Sequence, residues 1–125
     1  MPVRGIRGAT VVETDQPEAI LAATRELLAE IISANPTLKP ADLASVIFTV
    51  TDDICMEYPA KAARQLGWME TPLLCGREIP VPDGLPMCIR ILLHWNTDLP
   101  QSDIRHIYLG AAVELRPDAN SIESK

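Results

Sequence analysis

Met87-Cys88-Ile89-Arg90-Ile91-Leu92-Leu93-His94-Trp95 is the stretch on which the fold turns. It is aliphatic and partly β-branched, with Pro86 before it and Asn96 and Asp98 after it, which is the composition and punctuation of a strand. Successive side chains on a strand point to opposite faces. Met87, Ile89, Ile91, Leu93 and Trp95 then form one wholly apolar face, while Cys88, Arg90, Leu92 and His94 form the other. Arg90 sits in the middle of that second face. A guanidinium keeps its charge, and burying one without a partner costs roughly several kcal/mol. Arg90 therefore either pairs with a carboxylate of its own chain or faces a cavity that receives an anion.

Working outward, Gly76 to Pro86 holds Pro80, Pro82, Asp83 and Gly84, the residues of tight, stiff turns. Thr71 to Cys75 reads as a short strand, and Pro59 to Leu66 as a short helix begun by proline and stopped by Gly67. Lys61 and Arg64 share a face of that helix. Ser45 to Thr51 is a strand with Val46, Phe48 and Val50 on one face and Ile47, Thr49 and Thr51 on the other. Lys39 to Leu43 makes a single helical turn. From Asp15, placed to cap, through Pro17 to about Asn35, Ile20, Thr24, Leu27, Leu28, Ile31 and Ile32 recur at helical spacing, and Pro36 ends the pattern. Residues 3–12 form an N-terminal strand in which Gly5 and Gly8 mark a bulge or a close approach. Downstream, residues 98–103 turn, 104–109 form a strand carrying Tyr108, residues 110–115 have no clear pattern, and 117–125 form a flexible polar tail. The expected fold class is α/β (α+β): one domain over residues 1–125, with a mixed sheet of five strands, one long helix and short helical turns. One long helix cannot cover both faces of such a sheet, so the chain is expected to be an oligomer.

The chain has 125 residues, 47% of them hydrophobic, and a net charge of −6. That acidity argues against nucleic acid and anionic membrane surfaces as partners. No apolar run reaches the ~20 residues that span a bilayer, and no signal segment opens the chain, so a cytoplasmic protein is expected. The three cysteines, Cys55, Cys75 and Cys88, lack the spacing of a zinc site and, being odd in number, argue against a disulfide framework. No metal is expected.

Arg7, Glu78, Arg90 and Tyr108 are the candidate constellation, with arginine and tyrosine as donors and Glu78 as acceptor. No Ser-His-Asp set or phosphate-binding glycine motif accompanies them. Three readings stay open: an enzyme that holds a small anion, a non-catalytic trimeric binder or sensor of a small carboxylate, and a structural protein in which Glu78 merely neutralises Arg90.

Four motifs carry a resemblance. Arg4-Gly5-Ile6-Arg7-Gly8-Ala9-Thr10, Tyr58-Pro59-Ala60-Lys61-Ala62-Ala63-Arg64, Cys88-Ile89-Arg90, and Ile104-Arg105-His106-Ile107-Tyr108-Leu109 followed by Leu115-Arg116-Pro117-Asp118 together resemble the monofunctional chorismate mutases of the trimeric α/β-barrel class, not the all-helical class. The resemblance runs from about residue 3 to residue 118. It implies an isomerase that converts chorismate to prephenate by a Claisen rearrangement in phenylalanine and tyrosine biosynthesis, without a cofactor, as a homotrimer with its sites between subunits. Such a step needs the substrate held in its compact conformer and charge complementarity to a breaking ether bond. By resemblance, Arg90 donates to the ether oxygen, Glu78 accepts from the ring hydroxyl, and Arg7 and Tyr108 hold the side-chain carboxylate. Cys75 lies beside the ring hydroxyl, Lys61 and Arg64 sit near the ring carboxylate, Tyr58 and Ala60 line the wall, and Leu73 and Leu74 also bind substrate, residue 74 through its backbone rather than its side chain. Leu115 and Arg116 help to close the site. The chain departs from the family pattern at Tyr58, where phenylalanine is expected, at Leu73-Leu74, where a more polar pair is expected, and at Arg77, where glutamine is expected. Strand alternation sends Arg77 to the face opposite Glu78.

Overall fold

The computed structural model describes residues 1–116; the expected tail, 117–125, lies outside the described residues. In chain order the elements are β1 (Val3–Val11), α1 (Pro17–Ala34), β2 (Leu43–Val50), α2 (Ala60–Gln65), β3 (Leu73–Arg77), β4 (Cys88–Asn96) and β5 (Ile107–Tyr108), with short 3-10 turns at Pro40–Asp42, Gln101–Asp103 and Gly110–Leu115. The strands form one mixed sheet in the order β3-β2-β4-β1-β5. The stretch that opened the reading is its centre. β4 pairs antiparallel with both β1 and β2, and the outer strands β5 and β3 run parallel to their neighbours. A parallel pair needs a crossover, and α2 supplies the one between β2 and β3.

Alternation fixes the two faces. Ile89, Ile91, Leu93 and Trp95 of β4, with Val46 and Phe48 of β2 and Ile6 of β1, are buried. All but Ile89 cluster with Leu27, Leu28 and Ile31 of α1, and Ile89 clusters with Ile20 of the same helix. The other face carries Arg7, Ile47, Thr49, Arg90 and Leu92, all exposed or half-buried. Leu74 of β3 pairs with Ile47 and so belongs to this face, where it is 65% exposed. Gly8 lets α1 close on the sheet, because a Cβ there would stand 2.8 Å from Ile91 Cγ2 and 3.0 Å from Ile31 Cδ1. No helix among the described residues is long and apolar enough to cross a membrane.

Several boundaries differ from the sequence reading, each for a local reason. Met87 precedes the strand rather than opening it. Its φ is 51°, and the Asp53 carboxylate takes its N–H. The strand expected over 104–109 shrinks to two residues, because the Asn35 side chain takes both the N–H and the C=O of Arg105. β3 begins at Leu73 and runs to Arg77 rather than spanning 71–75, and Glu78 N–H extends its ladder to the Val50 carbonyl. Asp15 does not cap α1. Gln16 occupies the N-cap without a side-chain bond, and Asp15 instead accepts from the N–H groups of Cys55 and Met56. Residues 110–115, left without a pattern, form a 3-10 turn.

Candidate active site

The strand register brings side chains of the open face into rows. Ala9, Arg90 and Thr49 are direct neighbours across β1, β4 and β2, and Tyr108 extends that row through its pairing with Ala9. Arg7, Leu92 and Ile47 form the row beside it. Together with Glu78, which follows β3, and Leu115, from the 3-10 turn after β5, these residues line a cavity of about 290 Å³. The chain is acidic overall, yet two arginines and one carboxylate face this cavity. Its field therefore favours an anion.

Arg90 Nε stands 3.7 Å from Glu78 Oε1, with the two side chains 45% and 23% exposed. The pair is real but open, and the guanidinium keeps donors free to turn toward a guest. Glu78 is fixed from the other side by the Thr49 hydroxyl, which donates to Oε2. Sequence reasoning placed Thr49 on the correct face but did not include it in the site, although a hydroxyl one strand away from an arginine was the available signal. Arg77 obeys the expected alternation. It turns away from Glu78 and donates to the carbonyls of Thr51 and Ile54, 2.8 Å each, clamping the loop that follows β2.

Five of the expected site residues, Arg7, Glu78, Arg90, Tyr108 and Leu115, thus meet in one cavity. Seven others do not join them within the chain. Tyr58, Ala60, Lys61, Arg64, Leu73, Leu74 and Cys75 line a second cavity, of about 390 Å³, around α2 and the outer edge of β3. Pro59 starts α2 and Ala62 and Ala63 bury its inner side, which leaves Lys61 and Arg64 exposed. Lys61 pairs at 3.5 Å with Glu57, four residues earlier and ahead of the helix. Burial pushes the Cys75 thiol above its ordinary pKa, against a smaller opposite pull from the Ala60 N–H and Arg64, which favours the neutral thiol. Arg116 is exposed just after the 3-10 turn and donates its N–H to the Val113 carbonyl.

Comparison with known proteins shows the family. The family model described as chorismate mutase type I matches residues 3–119. The chain is 56% identical over 121 residues to chorismate mutase AroH of Thermus thermophilus, covering 97% of this chain and 99% of that one. It is 48% identical over 119 residues to chorismate mutase AroH of Bacillus subtilis (strain 168), covering 94% and 93%. A solved structure of chorismate mutase from Clostridium thermocellum superposes with a TM-score of 0.85 at 45% identity, over 88% of this chain and 97% of that one.

Proposed function

The chain belongs to the chorismate mutase type I family, and on that premise we propose that the cavity over β4 is where it carries out its reaction. The protein is an enzyme that isomerises chorismate to prephenate in aromatic amino-acid biosynthesis. In that rearrangement an ether C–O bond breaks as a C–C bond forms within one molecule. No atom is gained or lost, so no nucleophile, base or cofactor has to be supplied.

What the residues must provide is position and charge. Arg90 donates to the ether oxygen as negative charge gathers there. Glu78, held by Thr49, accepts from the ring hydroxyl and balances the electron-poor ring. Arg7 and Tyr108 hold the side-chain carboxylate, which keeps the reacting carbons close. The observation that carries this reading is the open Arg90–Glu78 pair: a mid-strand guanidinium, 45% exposed, on a cavity wall beside a second arginine.

The second cavity completes the site when another copy of the chain is brought up to it. In this reading the enzyme is a homotrimer. Each site joins Arg7, Glu78, Arg90 and Tyr108 of one protomer to the set around α2 of its neighbour, where Lys61 and Arg64 meet the ring carboxylate and Tyr58, Ala60, Leu73, Leu74 and Cys75 form the wall. Leu115 and Arg116 close it. Support comes from the division of these residues between two cavities and from the apolar Ile47, Leu74 and Leu92 on the face that α1 leaves uncovered. The free thiols fit a reducing, cytoplasmic setting.

Two measurements test this. Loss of chorismate absorbance on adding the protein reports turnover, and unchanged absorbance with a bicyclic transition-state mimic bound would make the protein a carboxylate binder instead. Mixing an Arg90→Ala variant with a Lys61→Ala/Arg64→Ala variant, each nearly inactive alone, should restore part of the activity in mixed oligomers. Failure to recover any, with mixed oligomers formed, would refute a site shared between protomers.

A further inference from the structure

The edge of β1 that faces β5 is closed in an unusual way. Gly5, Arg7 and Ala9 point their backbone groups toward that edge. Gln101 meets Gly5 with both ends of its amide: Oε1 accepts from Gly5 N–H at 3.0 Å and Nε2 donates to Gly5 O at 2.7 Å. Ala9 O accepts from Leu109 N–H at 2.9 Å, an ordinary backbone bond. Between them, Arg7 N–H donates to Nδ1 of His106 at 2.9 Å. An imidazole ring thus stands where a neighbouring strand would offer a carbonyl. β5 is too short to reach, because Asn35, itself buried, holds residue 105 by its N–H and C=O and delivers the next residue's ring to β1.

A backbone N–H can only donate, so Nδ1 must present a lone pair, which puts the proton of the neutral ring on Nε2. The residue held in this way is Arg7, whose side chain lines the cavity on the open face of the sheet. We propose that His106 is a positioning residue for the rearrangement: through Nδ1 it fixes the backbone of Arg7 and so sets where that guanidinium meets the substrate carboxylate. This rests on the reading above that places Arg7 against substrate. A residue that acts this way touches nothing that reacts, and its loss is felt through the small displacement of one that does.

The test is a set of variants assayed for chorismate turnover and for thermal unfolding. Asparagine presents its Oδ1 close to where Nδ1 stands, whereas glutamine presents Oε1 near the place of Nε2. His106→Asn should keep kcat/KM within about threefold of the parent, while His106→Gln and His106→Ala should lose about tenfold, the scale of one net hydrogen bond. In an Arg7→Ala background, His106→Ala should cost little more, because the residue through which it acts is gone. A purely structural role would lower the melting temperature of all three alike and would add its full cost to Arg7→Ala. Equal impairment of the Asn and Gln variants, better activity in Gln than in Asn, or an undiminished second loss in the Arg7→Ala background overturns the proposal. If His106→Ala does not fold, the Asn–Gln comparison decides alone. Arg7→Ala by itself separates the two levels of inference. Parental activity in that variant would bring down the reading of Arg7 and this proposal together. A large loss there with no Asn rescue would bring down only the role of His106.

Discussion

Truncating Arg90 to alanine should separate activity from stability. The guanidinium lies 3.7 Å from Glu78 with 45% of its side chain exposed. Unit charges ~4 Å apart attract by about 1 kcal/mol in water, and exposed ion pairs contribute ~0–1 kcal/mol to folding. Glu78 retains the Thr49 hydroxyl after the truncation, so its carboxylate is not stripped of partners. Folding free energy should therefore fall by no more than about 1 kcal/mol, a change of about 3–6 °C in Tm for a domain of this size. The chemical step should suffer far more. Removing one donor aimed at charge that develops in the transition state costs about 2.7–4 kcal/mol, or roughly 10²–10³ in kcat. Arg90→Lys should also fail, because an ammonium on a flexible stem loses the planar fork. The assay is the fall in chorismate absorbance under saturating substrate, with thermal unfolding followed at one fixed protein concentration because assembly affects Tm. A kcat within about threefold of the parent would remove Arg90 from the mechanism. A drop in Tm of more than ~10 °C would show that the pair is a structural element after all.

Other outcomes follow from single contacts. Gly8→Ala would place a Cβ 2.8 Å from Ile91 Cγ2, 3.0 Å from Ile31 Cδ1 and 3.3 Å from the Ile107 carbonyl, so it should lower stability by about 1–3 kcal/mol as an overpacked core does; an unchanged denaturation midpoint would contradict the fit of α1 on the sheet. Thr49→Val removes the hydroxyl that orients Glu78 and should cut kcat/KM about tenfold while leaving Tm nearly unchanged, and Thr49→Ser should restore most of it. Equal losses in the Val and Ser variants would show that the hydroxyl does not matter. Asp53 has its carboxyl held below the ordinary 3.8, chiefly by the Thr51 hydroxyl; burial opposes this as the next-largest effect, and the Met87 N–H adds to the lowering. A depressed folded pKa contributes stability above the unfolded value and loses it as pH falls through the folded one. Asp53→Asn should therefore lower Tm at neutral pH, with the gap to the parent closing below about pH 4; a gap independent of pH would refute the assignment.

How far the sequence spoke depended on whether alternation or local competition governed a segment. β4 and β2 obeyed alternation nearly residue by residue: Ile89, Ile91, Leu93 and Trp95 went to the core, and Arg90 went to the open face. The long helix was equally plain from its apolar spacing, and Arg77 took the side that alternation assigned. Where reading failed, a side chain had outbid the backbone ladder. Asp53 captured Met87 N–H and turned that residue out of β4, Asn35 captured Arg105 and cut β5 short, and Asp15 served the loop at Cys55 and Met56 instead of its own helix. Such captures join positions about 34 to 70 apart in sequence and leave no local pattern. The site shows the same split. Arg7, Glu78, Arg90 and Tyr108 could be named as one set, whereas Thr49 and His106, which hold two of them in place, are ordinary residues until the register is known.

The two ends of the sheet explain why one chain carries the candidate residues as two sets. An unpaired strand edge is a row of donors and acceptors that must be satisfied, covered or guarded. At the β1 end, the amide of Gln101, the ring of His106 and the short β5 satisfy the edge, and they do so at Gly5, Arg7 and Ala9, so closing that edge also stiffens one wall of the first cavity. At the other end, β3 pairs only with β2 among the described residues, and the second cavity wraps its outer edge. There Glu78 N–H turns inward to Val50, which by strand alternation sends the N–H of Cys75 outward, beside the exposed Lys61 and Arg64. Cations beside an open edge discourage indiscriminate strand pairing, and the same cations beside an outward N–H suit an oxygen-rich anion. In the assembly proposed above, the cationic wall at one end and the cationic edge at the other act as complementary halves, with the edge of one copy set against the wall of the next.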